Sequence, residues 1–453
     1  MTDTPCALLW FRQDLRLADN LALLAAIKTG LPILPVYILD DENAGAWKMG
    51  GASRVWLHHS LTKLNKSLNG QLLILKGKAD EIIPRLCHEQ SIESVHWNRC
   101  YEPWRMTRDK KIKSDLKDKG IKVETECASL IWEPWTILKD DGTPYKVFTP
   151  FYRKGCLPKG DIRLPLPAPQ NIPLYQHNKK SDNLNLIPAL PWAQSITSDW
   201  VIGEVGAYNQ LQKFLETGLA DYKNGRDVPS KRAVSRLSPY LHYGEISPYQ
   251  IWHAAQSYAL SNGLESHLDK FHAELGWREF SHALLYNFNE LPKKNWNPRF
   301  DNFPWAEVDN EKLTAWKNGM TGYPMVDAGM RELYATGYMH NRVRMVVGSF
   351  LVKHLRYHWR HGEDWFWDTL FDADLANNAA SWQWVAGTGA DAAPYFRIFN
   401  PMTQAEKFDP DNIYIKKWIP EFGTARYPSP IIDHTEARNA ALEAFQNLKE
   451  LNA

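Results

Sequence analysis

Several stretches of the chain carry side chains whose types and spacing could do chemistry together. Around residues 267–286 a helical pattern places Glu274, Trp277 and Arg278 at i, i+3 and i+4, on one face. A carboxylate, an indole and a guanidinium on one stripe can hold a flat ligand that hydrogen-bonds at its edge. A salt bridge beside a core tryptophan would use the same spacing. Further on, Asn341, Arg344 and Met345 again share a face, and Arg342 lies off it, where it could meet a backbone phosphate. In the run from Asp372 to Trp384, Asn378 and Trp382 sit at i, i+4, and Trp384 lies about 200° around the helix from Trp382. Such a pair suits two roles better than one, and core packing on both sides of a buried helix accounts for it equally well.

Upstream, the stretch Tyr222–Arg236 carries Lys223, Arg226, Lys231, Arg232 and Arg236 against one acid, Asp227. It runs into Ser235-Arg236-Leu237-Ser238-Pro239, a serine-rich turn that opens a helical pattern. Free N–H groups and hydroxyls there can hold a phosphate, although a solvated loop with an ordinary N-cap looks the same. His354, His358 and His361 have metal-like spacing, but the glutamate of an HExxH motif is missing and the neighbouring Lys and Arg repel a cation. A GxGxxA match at 387–392 follows no strand-like run and counts as chance.

These residues need elements to position them. Short apolar runs at 7–12, 33–40, 72–77, 94–99 and 122–127 read as strands, and helical patterns near 20–29, 53–68, 79–89 and 106–119 alternate with them. That alternation predicts a Rossmann-like α/β domain, a doubly wound parallel sheet, over residues 1–130. The turn after the first strand has no glycine, so the dinucleotide fingerprint is absent there. Residues 131–200 are rich in proline and read as a long interdomain linker wrapping a surface. Residues 201–453 read as a larger, all-α domain.

Composition narrows the classes. With 44% hydrophobic and 23% charged residues, the 453-residue chain is neither disordered nor a membrane bundle. The net charge is +1, so any basic surface is local. Twenty tryptophans beside 17 Phe and 19 Tyr suit stacking on bases or flat ligands as well as cores. Five cysteines without a CxxC spacing read as reduced thiols. The N-terminus is unlike a signal peptide and no apolar run suffices for a membrane span, so the expectation is a cytoplasmic protein.

Taken together, Leu9-Trp-Phe-Arg-Gln-Asp-Leu-Arg16 and the segments 235–248, 274–280, 321–333, 339–345, 372–384 and 391–401 resemble the DNA photolyase/cryptochrome family over essentially the whole chain. The resemblance implies an α/β domain, a linker and an all-helical domain that binds FAD non-covalently. It assigns the flavin phosphate loop to Ser235, Arg236, Leu237 and Ser238, with Tyr222 beside it and Val234 where many relatives have threonine. Arg278 joins the cofactor contacts. Arg344 and Asp372 resemble the ion pair over the isoalloxazine, Asp374 its ring and ribose contact, and Asn378 the amide facing flavin N5. The lesion pocket matches Glu274, Trp277, Asn341, Met345 and Trp384, and phosphate contacts match Arg226, Arg342 and Arg397. An electron chain to oxidised FAD matches Trp382, Trp359 and Trp305, the last expected to face solvent.

The implied activity is light-driven repair of cyclobutane pyrimidine dimers in UV-damaged DNA by a monomer. Excited FADH⁻ lends one electron to a flipped-out lesion and recovers it. A cryptochrome photoreceptor and a (6-4) photolyase are the alternatives. Asn378, the lesion-pocket set and the lack of a long C-terminal tail weigh against the first. The (6-4) chemistry needs a histidine pair in the 341–345 window, and only His340 stands just outside it. An α/β nucleotide-binding enzyme with a helical cap would have to explain the missing glycine loop. An antenna pigment, either a folate (methenyltetrahydrofolate) or a deazaflavin, is also implied. Trp104 and Arg105 replace the Asn–Glu pair of the usual folate site. Trp56 and Trp97 resemble the tryptophans on which folate stacks in plant-like bacterial photolyases, or else belong to the core.

Overall fold

The computed structural model describes residues 4–392 and 396–451. Five strands, β1 (Cys6–Phe11), β2 (Ile33–Leu39), β3 (Leu73–Lys76), β4 (Ile92–Asn98) and β5 (Lys122–Glu126), form one parallel sheet in the order β3-β2-β1-β4-β5. β1 and β2 are buried along their whole length, as strands covered on both faces must be, and this explains their unbroken apolar runs. Helices α1 (Leu21–Ile27), α2 (Gly51–Ser67), α3 (Ala79–Glu89) and α4 (Pro103–Asp118) supply the crossovers. Strand order reverses between β1 and β4, which puts the switch point at their carboxyl ends.

Past the sheet the chain is largely irregular as far as a short helix at Pro191–Ser195, interrupted by a helical stretch over 148–159, and from there on it is helical. The irregular segment does more than wrap a surface. Phe148, Phe151, Tyr152 and Cys156 are buried in the largest core cluster, and Glu279 Oε2 accepts the backbone N–H groups of Ile131 and Trp132 at 2.9 and 3.1 Å. The helices that matter for chemistry are α5 (Ser238–Tyr243), α6 (Glu265–Asn287), α7 (Asn341–Ser349), α8 (Trp359–Thr369) and α9 (Leu375–Ala386), with α10 (His434–Leu451) closing the described chain.

The Leu9–Arg16 motif joins the two halves. Arg16 is fully buried and donates to the carbonyls of Gly244 (2.9 Å), Asp19 (2.9 Å) and Ala128 (3.0 Å). Gly244 takes φ +65° just after α5, and a Cβ there would collide with the Gln13 carbonyl, so the helical half approaches the sheet through a glycine.

Two tryptophans matched to a folate site prove to be core. Trp56 is 0% exposed, stacked on Tyr243 and edge-on to Trp200 and Tyr240, and its Nε1 donates to Glu245 at 3.2 Å. Burial pushes the Glu245 carboxyl up to about 8. Trp97 is buried edge-on to Trp10. Neither ring has a face left for a pigment, because helix packing on the sheet uses both. Among the described residues no helix is long and apolar enough to cross a membrane.

Candidate active site

A cavity of about 560 Å³ opens between α5, α6, α7 and α9, with Gln13 and Cys100–Glu102 from the sheet side closing one wall. Most of the residues singled out in the sequence line it: Tyr222, Arg226, Ser235, Leu237, Ser238, Glu274, Trp277, Arg278, Asn341, Arg342, Arg344, Met345, Asp372, Asp374, Asn378, Trp382 and Trp384. Glu274, Trp277 and Arg278 all face it, as their spacing on α6 requires.

One side is polar and partly unsatisfied. Asp372 Oδ2 receives the Ser238 hydroxyl at 2.5 Å and the Arg344 guanidinium at 2.9 Å, while its buried Oδ1 has no hydrogen-bond partner among the described residues. Burial opposes charge on Arg344, but Asp372, with Tyr338 and Glu332 beside it, lifts the guanidinium above its usual value. Arg344 Nε also donates to the Met339 carbonyl at 2.8 Å, which fixes the side chain along α7. Asp374 caps α9 by accepting from the Asn377 N–H at 2.8 Å and faces His282 Nε2 at 3.4 Å. Burial would raise that carboxyl, but His282 holds it well below the usual carboxylate range. Asn378 donates its amide to the Glu363 carbonyl at 3.0 Å, which leaves Oδ1 as the end available to a ligand. Burial pushes the Glu363 carboxyl, whose Oε1 is unpaired, up to about 8.

The other side is aromatic and charged at its rim. Trp277 is stacked on Phe148 at 3.8 Å with planes 10° apart, and Trp384 Nε1 donates to the Asp391 carbonyl at 3.1 Å. Glu274 pairs with Arg226 and lies 3.4 Å from Lys270, while Arg342 pairs with Asp227 at 2.9 Å. His340 caps α7, its Nδ1 accepting from the Arg342 N–H at 3.2 Å. Burial lowers its pKa to about 4, so it is a neutral cap and not a poised acid.

Other expected residues lie elsewhere. Arg236 takes φ +54° and turns its guanidinium away from the cavity, over Trp200 at 4.2 Å and Tyr338 at 5.1 Å. The cavity lining therefore includes the turn's serines and Leu237 but not the Arg236 side chain, and Val234 is outside it too. Arg397 is exposed, near Phe399, and does not line the cavity. Ala393–Tyr395, in the last of the matched motifs, lie outside the described residues.

Trp382 is buried against Phe366 at 4.9 Å and Trp316 at 6.4 Å, and only a glycine at 362 allows its ring so close to α8. Trp359 is fully buried with its Nε1 on Asn295 at 2.9 Å. Trp305, expected at the surface, is half-buried, so only part of it meets solvent. It packs on Phe303 (4.6 Å) and on His358 (5.1 Å), which lies 5.3 Å from Trp359. Sequence reasoning missed His282, Asn377, Lys270 and the sheet-side Tyr101 and Glu102. Lys270 and His282 had a signal, four residues before Glu274 and four after Arg278 on the same helix face.

A second, much smaller cavity of about 40 Å³ sits at the switch point, lined by Arg12, Asp40, Trp47, Trp104, Arg105 and Arg108 among others. Arg12 pairs with Asp109, Arg108 with Asp40 (3.1 Å) and Asp109 (2.8 Å), and Arg105 with Glu102 (3.2 Å).

Comparison with known proteins follows the same division. Residues 7–170 match the family model described as DNA photolyase, and residues 271–425 the one described as the FAD binding domain of DNA photolyase. The chain is 44% identical to a deoxyribodipyrimidine photo-lyase of Agrobacterium fabrum over 99% of both chains. It is 35% identical to Cryptochrome-1 of Arabidopsis thaliana over 99% of this chain and 71% of that one. Among solved structures, a bacterial class III photolyase from Agrobacterium tumefaciens superposes with a TM-score of 0.94 at 44% identity, covering 99% of this chain and 98% of that one. An archaeal photolyase from Sulfolobus tokodaii, described with two FAD molecules that imply a novel light-harvesting cofactor, matches at TM-score 0.83 and 30% identity over 97% of this chain and 99% of that one. The chain belongs to the DNA photolyase family.

Proposed function

We propose that the protein is a deoxyribodipyrimidine photo-lyase, which binds FAD without a covalent link and uses light to split cyclobutane pyrimidine dimers in UV-damaged DNA. The observation that carries the reading is that one cavity has a flavin-type polar side and a base-type aromatic side. The residues present fit the cofactor, because the buried Asp372 Oδ1 lacks a donor and Arg344, Ser238 and the Asn378 amide are fixed around it. Bound FADH⁻ supplies one electron to the dimer and takes it back, so there is no net redox change. Arg344 and Asp372 hold the ring system, Ser235, Leu237 and Ser238 meet the phosphates, and Asn378 presents its oxygen to a protonated ring nitrogen.

On the other side Trp277 and Trp384 flank the dinucleotide, Glu274 and Asn341 hydrogen-bond its edges, Met345 fills the remaining apolar wall, and together they exclude water. Photolyases work on a lesion taken out of the base stack, so its extrusion comes from the class and not from this geometry. Trp382, with Trp359 and Trp305 behind it, passes electrons inward to oxidised cofactor. The α/β part is assigned to residues 1–130, the linker to 131–200 and the FAD-binding catalytic domain to 201–453, in a cytoplasmic monomer.

Cyclobutane repair is favoured over (6-4) repair because His340, the nearest histidine to the 341–345 window, is a buried cap of α7 that does not line the cavity. The Asn378 amide favours an enzyme over a cryptochrome. The cavity at the switch point, about 40 Å³, is too small as it stands for a folate or a deazaflavin. Illuminating the pre-reduced, flavin-loaded protein with DNA carrying either lesion is the direct test. Loss of cyclobutane dimers alone is expected. Loss of (6-4) products, or of neither, rejects the assignment.

A further inference from the structure

The turn that follows α9 reaches back and ties the two indole walls to each other. Gly387 ends the helix in the left-handed region, Ala390 lines the cavity, and Asp391 takes φ +55°, uncommon for a residue with a Cβ. Asp391 then makes two bonds in opposite directions. Its backbone carbonyl accepts from Trp384 Nε1 at 3.1 Å, and its carboxylate Oδ2 accepts from the Phe148 N–H at 3.3 Å. Phe148 lies face to face with Trp277 at 3.8 Å and with Tyr152 at 5.6 Å, so three parallel rings run from the core to the cavity. The face of Trp277 away from Phe148 is the one left for a ligand.

We propose that Asp391 is a positioning residue that sets the separation of Trp277 and Trp384, and so the grip on the flipped lesion. The inference rests on the lesion-pocket reading above and adds the element that holds the pocket in shape. Two stacking surfaces grip a fused base pair only at the right spacing, and preorganised walls lose less on binding than walls that must be ordered. No other contact among those of the described residues joins the Trp384 indole to the Phe148–Trp277 stack through a single residue. The carboxylate is the adjustable half of the tie, because the carbonyl half survives any substitution that keeps the backbone conformation.

Asp391→Gly keeps the positive φ and the carbonyl and removes the carboxylate. Asp391→Asn keeps an acceptor for the Phe148 N–H and also tolerates the left-handed region. Phe148→Leu removes the stack from the other end. The measurement is dark binding of dimer-containing against undamaged oligonucleotides, with flavin absorbance and the rate of flavin photoreduction recorded on the same samples. Asp391→Gly and Phe148→Leu should each lower the lesion-to-undamaged affinity ratio by about tenfold, the scale of one base–aromatic stack. The double variant should lose little more than the larger single loss, because both act on one tie. Asp391→Asn should restore the ratio, and flavin content and photoreduction should not move in any variant.

An unchanged ratio in both single variants, or a loss that follows flavin content, overturns the inference. So does a loss that Asp391→Asn fails to restore. If the unaltered protein shows no preference for dimer-containing DNA, the lesion-pocket reading itself is wrong and this one falls with it.

Discussion

The switch-point cluster and the helical cavity are built from similar charges and rings, and one is closed where the other is open. At the sheet, Arg12, Arg105 and Arg108 meet Asp40, Glu102 and Asp109, with Trp10 and Trp104 laid against the guanidinium groups and about 40 Å³ left between them. Among the helices, Arg344 and Asp372 form one pair beside a space of about 560 Å³, and Asp372 still has an oxygen to give. The position of the first is where α/β folds bind ligands, yet the second has the room. Buried charge alone does not make a site. Glu102 Oε2 and the Nε atoms of Arg12 and Arg105 also lack a hydrogen-bond partner among the described residues, so an unpaired atom is common to both places, and what the helical cavity adds is the volume through which a ligand can reach it.

The sharpest way to break this contrast is Asp372→Ala. Arg344 then loses the carboxylate that holds it, and Ser238 loses its acceptor. Removing one partner of such a pair costs about 2–5 kcal/mol, which should appear as flavin loss of at least about tenfold after gel filtration. Thermal stability of the flavin-free protein should change far less. Retention of stoichiometric flavin would show that the open pair is as structural as the closed one.

Asp109→Ala is the mirror experiment. It strips one carboxylate from Arg12 and Arg108 together, and about 3–5 kcal/mol of folding stability should go with it while flavin content per folded molecule stays the same. Burial would raise the Asp109 carboxyl, but Arg12 and Arg108 hold it below its usual value. A carboxyl depressed in the folded state stabilises above its unfolded value and loses that contribution as pH falls through the folded one. The unaltered protein should therefore lose this increment on acidification below about pH 4, and the variant should lack that part of the acid transition in a melting-temperature profile. Equal acid sensitivity in the two would put the stability elsewhere.

Trp277→Ala separates the two sides of the open cavity. Stacking on a base is worth about 1–3 kcal/mol, so the preference for dimer-containing DNA should drop by about tenfold or more, with flavin binding intact. Flavin loss on the same scale would mean that the aromatic side is core, in the manner of Trp56.

How much of this was legible follows from the range of the interactions. The strands could be read because β1 and β2 are covered on both faces and keep unbroken apolar runs, and the observed limits fall within two residues of the expected ones. The α6 stripe could be read because a single helix face meets the cavity. On α9, Trp382 and Trp384 were expected to look in different directions, yet both line it. The cavity is met by residues 377, 378, 380–382, 384 and 385, more than half the circumference of the helix. The turn at 235–238 could be found as a motif, but the direction of Arg236 depends on Trp200 and Tyr338, far away in sequence. The Asp391–Phe148 bond spans 243 residues and no local pattern encodes it. Some matched motifs proved structural instead. Asp327 of the 321–333 segment spends its carboxylate on Thr321, the Gly322 N–H and Tyr427, and so pins the loop that bears it.

Arg342→Ala should have the smallest effect and draws the line between the two kinds of charge most finely. Arg342 sits on the cavity rim, paired with Asp227 at 2.9 Å and laid over Phe408 at 4.6 Å, with its side chain 20% exposed. An ion pair that open to water is worth about 0–1 kcal/mol, so an arriving phosphate can compete for the guanidinium at little cost. Its removal should lower the slope of log K against log salt by about 1, for damaged and undamaged DNA alike, because a phosphate contact carries no information about the lesion. Arg226 is the control within the same rim. It is paired with Glu274, which we assign to the lesion pocket, so Arg226→Ala should change the lesion-to-undamaged ratio as well as the slope. Titrating both variants against the two DNAs across salt concentrations decides the matter. If Arg342→Ala leaves the slope where it was, Arg342 belongs to Asp227 alone, and the rim is closed in the same sense as the switch point.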